Sequence, residues 1–108
     1  MIIECVRIEV RAGKREEARR TLSAWAGPTE VEPGCISCRI LQESTEPFAF
    51  CCELRWKSHD DLVRHLRSER YKALLVLIDQ GVGPPVIEFH RVTETEGFDL
   101  VERVRNVA

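Results

Sequence analysis

Apolar and polar residues alternate along four separate stretches of the chain, and each stretch predicts a half-buried β-strand. The stretches are residues 2–11, 35–43, 48–57 and 86–95. In the clearest one, 48–57, the shared apolar face holds Phe48, Phe50, Cys52, Leu54 and Trp56. In 35–43 it holds Ile36, Cys38 and Ile40. The second and third stretches are separated by a short polar turn and predict an antiparallel hairpin.

Two regions between these strands carry apolar residues at helical spacing. Ala18, Leu22 and Trp25 form one stripe in residues 14–26, and Gly27-Pro28 is expected to end that helix. The second helical region starts after Ser58, a good N-cap residue, and is expected to break near Ser68. Residues 98–107 predict a short amphipathic segment at the C-terminal end.

The element order β-α-β-β-α-β predicts an α+β fold of the ferredoxin-like kind. We expect one domain over residues 1–108, with a core of 1–95 and a tail of 96–108 that packs on the domain or on a partner. Two helices cover one face of the antiparallel sheet. The uncovered face carries apolar residues among charges, which predicts a homodimer that pairs two such faces.

Composition narrows the function classes. The chain has 108 residues and a net charge of −2, with acids and bases interspersed, so nucleic acid binding is not expected. The longest apolar run, residues 73–78, is far shorter than the ~20 residues that cross a bilayer. The N-terminal residues lack the features of a signal peptide, so a cytoplasmic protein without membrane association is expected.

Three segments together resemble the antibiotic biosynthesis monooxygenase family of dimeric α+β barrels. They are Glu32-Pro33-Gly34-Cys35, the third-strand segment Phe50-Cys51-Cys52-Glu53-Leu54-Arg55-Trp56, and the helical set Ser58, Leu62, His65, Leu66 and Ser68. The resemblance spans roughly residues 2–95 and implies the dimeric barrel. Relatives of this kind include oxygenases of phenols and quinols, haem-degrading enzymes and proteins of unknown activity.

The resemblance makes His65 the candidate catalytic residue, because an imidazole with an ordinary pKa near 6.5 suits a base at neutral pH. The alternative is a structural histidine. Phe50, Trp56, Tyr71 and Phe89 could line an apolar pocket, or simply pack in the core. Arg39 and Arg55 could stabilise a substrate oxyanion, although an ion-pair network on the uncovered face is the simpler role. His59 is expected at the solvated surface.

The first functional hypothesis is a monooxygenase that needs no cofactor or metal and acts on a phenolic, quinol or polycyclic aromatic small molecule. The alternative is a small-molecule-binding or stress-related dimer without turnover. A haem-degrading enzyme is less favoured, since the only asparagine is Asn106 in the tail and an Asn-Trp-His set cannot be assembled. Cys35-x-x-Cys38 leaves a thiol redox protein as a minor hypothesis, but the pair enters a strand rather than a helix.

Overall fold

Four strands and four helices follow one another through residues 1–106, which a computed structural model of the protein describes. The strands are β1 (Ile2–Glu9), β2 (Cys35–Gln42), β3 (Ala49–Trp56) and β4 (Val86–Arg91). The helices are α1 (Arg15–Glu30), α2 (His59–Leu66), α3 (Glu69–Asp79) and α4 (Phe98–Arg105), and a short 3-10 turn (Ala12–Lys14) precedes α1.

The strands form one antiparallel sheet in the order β2-β3-β1-β4. β1 therefore lies inside the sheet, with β3 on one side and β4 on the other. The register pairs Val6 with Cys52 and Ile8 with Phe50, so the apolar faces of β1 and β3 coincide. The predicted α+β ferredoxin-like fold is confirmed.

One face of the sheet packs against the helices and forms the core. Its centre is a set of buried side chains from β1 and β3, namely Val6, Ile8, Phe50, Cys52, Leu54 and Trp56. Leu22 and Trp25 of α1 and Leu74 of α3 pack against them. The alternation seen in the sequence separates this face from the opposite one, where residues such as Cys5 and Cys51 are half-buried.

The prediction that Gly27-Pro28 ends the first helix is wrong, because α1 continues to Glu30. Pro28 has no N–H to donate to the preceding turn, and that lost bond was the basis of the prediction. Thr29, however, is fully buried, and its hydroxyl donates to the backbone oxygen of Trp25 at 2.6 Å. Tertiary packing of Trp25 and Thr29 holds the last turn in helical form despite the proline.

Strand β2 has an irregularity that strict alternation did not predict. The pairing with β3 shifts between Cys35 and Ser37, so Ile36 is an extra residue in a bulge. The prediction that Ile36 shares the core face with Cys38 and Ile40 is therefore wrong. Ile36 is exposed, while Cys35 takes its place against the core.

All four predicted strands are longer than the observed ones, and β3 and β4 show why. β3 begins at Ala49, and Phe48 lies in the preceding turn, where its backbone oxygen accepts from the Val10 N–H. Phe48 is therefore exposed rather than part of the core face. β4 ends at Arg91 because its partner Ile2 is the first residue of β1, which leaves residues 92–95 without a strand to pair with.

The predicted break near Ser68 is confirmed. Ser58 and Ser68 cap α2 and α3, and their hydroxyl oxygens accept from the N–H groups of Asp61 and Tyr71. Two caps ten positions apart give two short helices instead of one long helix. His65 lies near the end of the first of them and is buried.

Helix α4 has no buried residue, and Phe98 and Val104 are 71% and 67% exposed. The Cα radius of gyration is 16.1 Å, against about 13 Å for an ordinary domain of this length. The described part of the predicted tail therefore adds little to the chain's own core. Val107 and Ala108, which the prediction included, lie outside the described residues.

Candidate functional site

His65 lies in the last turn of α2, and its side chain points into the core. Leu62, one turn earlier, is buried on the same side of the helix. The imidazole is surrounded by three aromatic rings, with centroid separations of 4.4 Å to Trp56, 5.0 Å to Tyr71 and 5.9 Å to Trp25. His65 is only 1% exposed, so it is a core residue whose polar atoms need partners inside the protein.

Two glutamates flank the imidazole. Glu32, in the loop after α1, has Oε2 3.0 Å from His65 Nδ1, and Glu4 of β1 has Oε1 3.4 Å from His65 Nε2. Trp56 Nε1 donates to Glu4 Oε1 at 3.0 Å, and Arg70 lies 3.5 Å from Glu32. We call Glu4, Glu32, His65 and Trp56 the buried acid–histidine cluster.

The cluster perturbs the ionisation of its members. Burial raises the pKa of Glu4 to about 7, and the nearby Glu32 acts in the same direction, while the bond from Trp56 opposes them. Burial also lowers the pKa of His65, although the Glu32 carboxylate favours the charged ring. Both pKa shifts favour the uncharged forms of Glu4 and His65, because burial away from water disfavours charge.

Two polar atoms of the cluster have no hydrogen-bond partner among the described residues, Glu4 Oε2 and His65 Nε2. Both are buried, and unpaired buried polar atoms are rare and costly. Clusters of titratable groups with shifted pKa values are typical of functional sites, although structural networks show them too. The arrangement is therefore a candidate acid–base site.

An apolar groove of about 250 Å³ opens beside this cluster, between α2 and β4. Its lining residues are Ile2, His59, Leu62, Leu66, Phe89 and Arg91. His65 lies between Leu62 and Leu66 along α2, and Glu4 is two residues from Ile2 on the same face of β1. The elements that line the groove thus also carry the cluster.

The structure brings some of the predicted site residues together. Trp56 and Tyr71 contact His65, and Phe89 lines the groove. Phe50 is buried on the same face of the sheet, paired with Ile8 toward the far end of β1.

Arg39 and Arg55 lie on the opposite face of the sheet. Both interact with Glu53, at 3.2 Å and 3.6 Å, and so form part of the ion-pair network expected there. They do not meet His65 in this chain, and their assignment to substrate binding stays a prediction.

The sequence predictions do not include Glu4 and Glu32 among the site residues. Glu32 enters them only as part of a family motif. One signal was available for Glu4: it shares a face of β1 with Ile2, Val6 and Ile8, so it is a carboxylate at a core position. The partners of both glutamates are distant in sequence, so only the fold reveals the cluster.

The surroundings of Cys35 and Cys38 do not favour a reactive thiol pair. Burial raises the pKa of Cys35 and, helped by the neighbouring Cys35, raises that of Cys38 to about 12. A reactive thiol needs a lowered pKa. Among residues 1–106, no three His, Cys, Asp or Glu side chains are grouped so as to hold a metal ion.

Fold and site together define a small α+β protein with an apolar groove backed by a buried acid–base cluster. The sequence model of the antibiotic biosynthesis monooxygenases matches residues 1–75, more than half of the chain. The chain therefore belongs to that family, as its motifs suggested. No protein with a curated description matches it.

Solved structures agree on the fold. A protein of Deinococcus radiodurans described as a "putative antibiotic biosynthesis monooxygenase" superposes with a TM-score of 0.82 at 20% identity, over 90% of this chain and 97% of its own. A protein of Nitrosomonas europaea with the same description gives 0.78 at 20% identity, over 87% and 100%. A Bacteroides thetaiotaomicron protein described as a "possible oxidoreductase" gives 0.76 at 20% identity, over 84% and 96%.

In the part of the chain that the structure describes, no helix has the length and apolarity required to cross a bilayer.

Proposed function

We propose that this protein is a monooxygenase that acts, without a cofactor, on a small aromatic compound of the phenol or quinol type. The observation that carries the proposal is an apolar groove lined by β1 and α2, the elements that also carry Glu4 and His65 of the buried acid–histidine cluster. Membership of the monooxygenase family supports the reaction class, while the groove supports the kind of substrate.

The groove favours a flat apolar ring. Leu62, Leu66 and Phe89 supply apolar surface, and Arg91 provides a positive charge at the end of β4. Pockets for drug-sized ligands usually measure roughly 300–1,000 Å³. A volume of about 250 Å³ is therefore suited to one or two fused rings better than to a larger polycyclic compound.

In the proposed reaction the substrate supplies all four electrons that dioxygen takes up. A substrate hydroxyl loses its proton to the cluster, and the electron-rich anion reacts with dioxygen. One oxygen atom becomes a carbonyl on a ring carbon, which loses its hydrogen, and the other oxygen atom leaves as water with that hydrogen and the hydroxyl proton. The protein contributes orientation, exclusion of water and a place for the proton.

His65 is the proposed base of this reaction, and Trp56 and Tyr71 hold its ring. Because His65 is 1% exposed, contact with a substrate requires the side chains of Leu62 and Leu66 to move apart. Arg39 and Arg55 keep a proposed role only if a second subunit brings them to a ligand.

We also propose that two copies pair through the uncovered sheet face, in a cytoplasmic homodimer. That face carries half-buried Ile3, Cys5 and Cys51 and exposed Leu41 and Val86 in this chain. The exposed apolar side of α4 supports an additional contact of the tail with the partner subunit.

Oxygen uptake tests the proposal. Purified, metal-free protein is assayed with naphthols, quinols and anthrones against an autoxidation blank. His65→Gln preserves most of the side-chain volume, and Lys72→Gln, on the exposed side of α3, is the control. We expect catalysed uptake that falls about a hundredfold in His65→Gln and is unchanged in Lys72→Gln. Catalysed uptake equal in both variants would remove His65 as the base.

The second candidate function is a binding protein without turnover. The seclusion of His65 favours it, because a ligand in the groove would not meet the imidazole unless the wall opens. Calorimetric binding of naphthols, weakened by Phe89→Ala, without oxygen uptake for any compound in the panel, would select this function over the monooxygenase.

A further inference from the structure

The position of one hydrogen atom in the buried acid–histidine cluster follows from the partners of the imidazole. Glu32 Oε1 lies 3.5 Å from the Arg70 guanidinium, which stabilises Glu32 as a carboxylate. A carboxylate accepts hydrogen bonds only, so the 3.0 Å contact from Glu32 Oε2 requires a hydrogen on His65 Nδ1. In the neutral ring Nε2 is then the acceptor.

The polar group nearest to His65 Nε2 is the Glu4 carboxyl, which can donate to that nitrogen only when it is protonated. Glu4 Oε1 lies 3.4 Å from His65 Nε2, and it already accepts from Trp56 Nε1 at 3.0 Å. An ionised Glu4 would turn a negative oxygen toward a nitrogen lone pair. A protonated Glu4 would instead present an O–H to that nitrogen and leave no unpaired polar atom facing the ring.

Among residues 1–106, the hydrogen bonds and ion pairs of Glu4 include no cation apart from the His65 ring. Trp56 of β3 and Trp25 of α1 are uncharged. Tyr71 of α3, Cys52 of β3 and Cys38 of β2 stay neutral around pH 7, because burial raises the pKa of each to about 12. The charged neighbours are Glu32 and Arg70, which pair with each other on the Nδ1 side of the ring.

We propose that Glu4 and His65 share a single proton near neutral pH, carried as a Glu4 carboxylic acid whose O–H points to His65 Nε2. Glu32 fixes the ring from the other side by accepting from Nδ1. Glu4 is thus a positioning residue, which determines whether the imidazole has a free lone pair.

The catalytic consequence rests on the proposed function, whereas the shared proton itself does not. The pair can accept a proton only after it has lost this one. In that state a substrate O–H bond breaks, its electron pair stays on the phenolate oxygen, and its proton is bound by the Glu4–His65 pair. Turnover is therefore expected to rise with pH through the titration of the pair, near the pH of about 7 at which Glu4 ionises.

The test uses the complete protein with ¹⁵N-labelled histidine and ¹³C-labelled glutamate side chains, followed by NMR from pH 5 to 9 without substrate. The chain has three histidines, and His59 and His90 are exposed internal references. We expect His65 to keep its Nδ1 hydrogen over the whole range. One carboxyl signal should have the shift of a protonated acid at pH 6 and should titrate together with His65 Nε2.

Glu4→Gln is the informative variant, because its amide N–H can donate to His65 Nε2 permanently. The titrating carboxyl and the step at Nε2 should both disappear, and kcat should stay low at every pH, because the pair then has no form that accepts a proton. If Glu4→Gln does not fold, Trp56→Phe serves instead. Trp56→Phe removes the N–H that donates to Glu4, so the titration observed at His65 Nε2 should move to higher pH.

Two results would overturn the inference: a doubly protonated His65 ring beside an ionised Glu4 at pH 6, or a step at Nε2 that persists in Glu4→Gln. Neither depends on turnover. Absence of oxygen uptake would reject the proposed enzyme while leaving the shared proton in place, and an active enzyme with an ionised Glu4 at pH 6 would do the reverse.

Discussion

At the residue scale, the buried acid–histidine cluster is held by contacts between residues far apart in the sequence, and an alternating pattern cannot predict such contacts. The sequence pattern correctly placed Trp56 in the core and gave His65 as the candidate base, because apolar periodicity and a family motif point to them. It could not identify Glu4 and Glu32 as their partners, since the contacts join β1, the loop after α1 and α2. Thr29 was missed for the same reason: its burial depends on tertiary packing.

The ionisation of Glu4 and His65 should affect stability in opposite directions. Burial raises the folded-state pKa of Glu4 to about 7, so its contribution is present below the unfolded-state pKa and is lost as pH rises through 7. Burial lowers the folded-state pKa of His65, so its contribution is lost as pH falls below 6.5.

Single variants separate these two contributions. The His65→Gln variant should lose roughly 3 kcal/mol of its free energy of unfolding between pH 4.5 and 8. In this variant Glu4 is the one member of the pair that still titrates, and its raised pKa favours folding only while it is protonated. Glu4→Gln should instead gain stability from pH 5 to 7. Urea unfolding at intervals of half a pH unit measures both. Parallel pH profiles in the two variants would contradict the assigned shifts.

Trp56 and Trp25 provide a matched pair of indole hydrogen bonds. Trp56 donates to the titrating Glu4, whereas Trp25 donates to the backbone oxygen of Arg70 at 2.8 Å. Trp56→Phe should cost about 1–3 kcal/mol more at pH 8, where Glu4 is ionised, than at pH 5. Trp25→Phe should cost the same at both. Thermal unfolding of the two variants at each pH tests the difference.

At the element scale, local chemistry determined where helices begin better than where they end. Ser58 was recognisable as a cap because a hydroxyl residue before an amphipathic run is a favoured N-cap, whereas Ser68 marked only the expected break. The end of α1 was misjudged since the penalty of Pro28 is local, while the burial of Thr29 is not. The bulge at Ile36 was likewise hidden, because an extra residue leaves no compositional mark in a strand.

Gly34 determines how the loop before β2 meets α2. Its φ is +80°, and a Cβ there would overlap the side chain of Asp61, which bonds Ser58 and Arg64. Gly34→Ala should therefore lower the free energy of unfolding by about 1–3 kcal/mol. Gly13→Ala is the control, since open space surrounds that position. Equal effects of the two changes in urea unfolding would show that Gly34 is not constrained.

At the scale of the whole molecule, the fold followed from the order of the elements, but the assembly did not. The alternating pattern identified an uncovered face, and the homodimer expected from it stays a prediction. A stable dimer usually buries about 1,600 Å² in total.

Leu41 and Leu75 distinguish the sheet face from the helical surface. They are 42% and 45% exposed, on β2 and α3 respectively. Leu41→Asp should shift the protein from dimer to monomer, because a carboxylate in the paired interface would be desolvated. Leu75→Asp should leave the mass unchanged. Light scattering over a range of protein concentrations measures both, and a monomeric wild type would end the dimer proposal.

The inner position of β1 has a consequence for the speed of folding. Glu4 enters a dry space only when β1 is enclosed by β3 and β4, and both pairings join segments far apart in the chain. Such long loop closures are slow, and here the last of them must also strip water from a carboxyl group. A neutral carboxylic acid loses its water more easily than an anion, and in the unfolded chain Glu4 ionises near its ordinary pKa of 4.5. The refolding rate should therefore decline as pH rises from about 4.5 toward 7. A mildly acidic solution should therefore speed the folding of this chain.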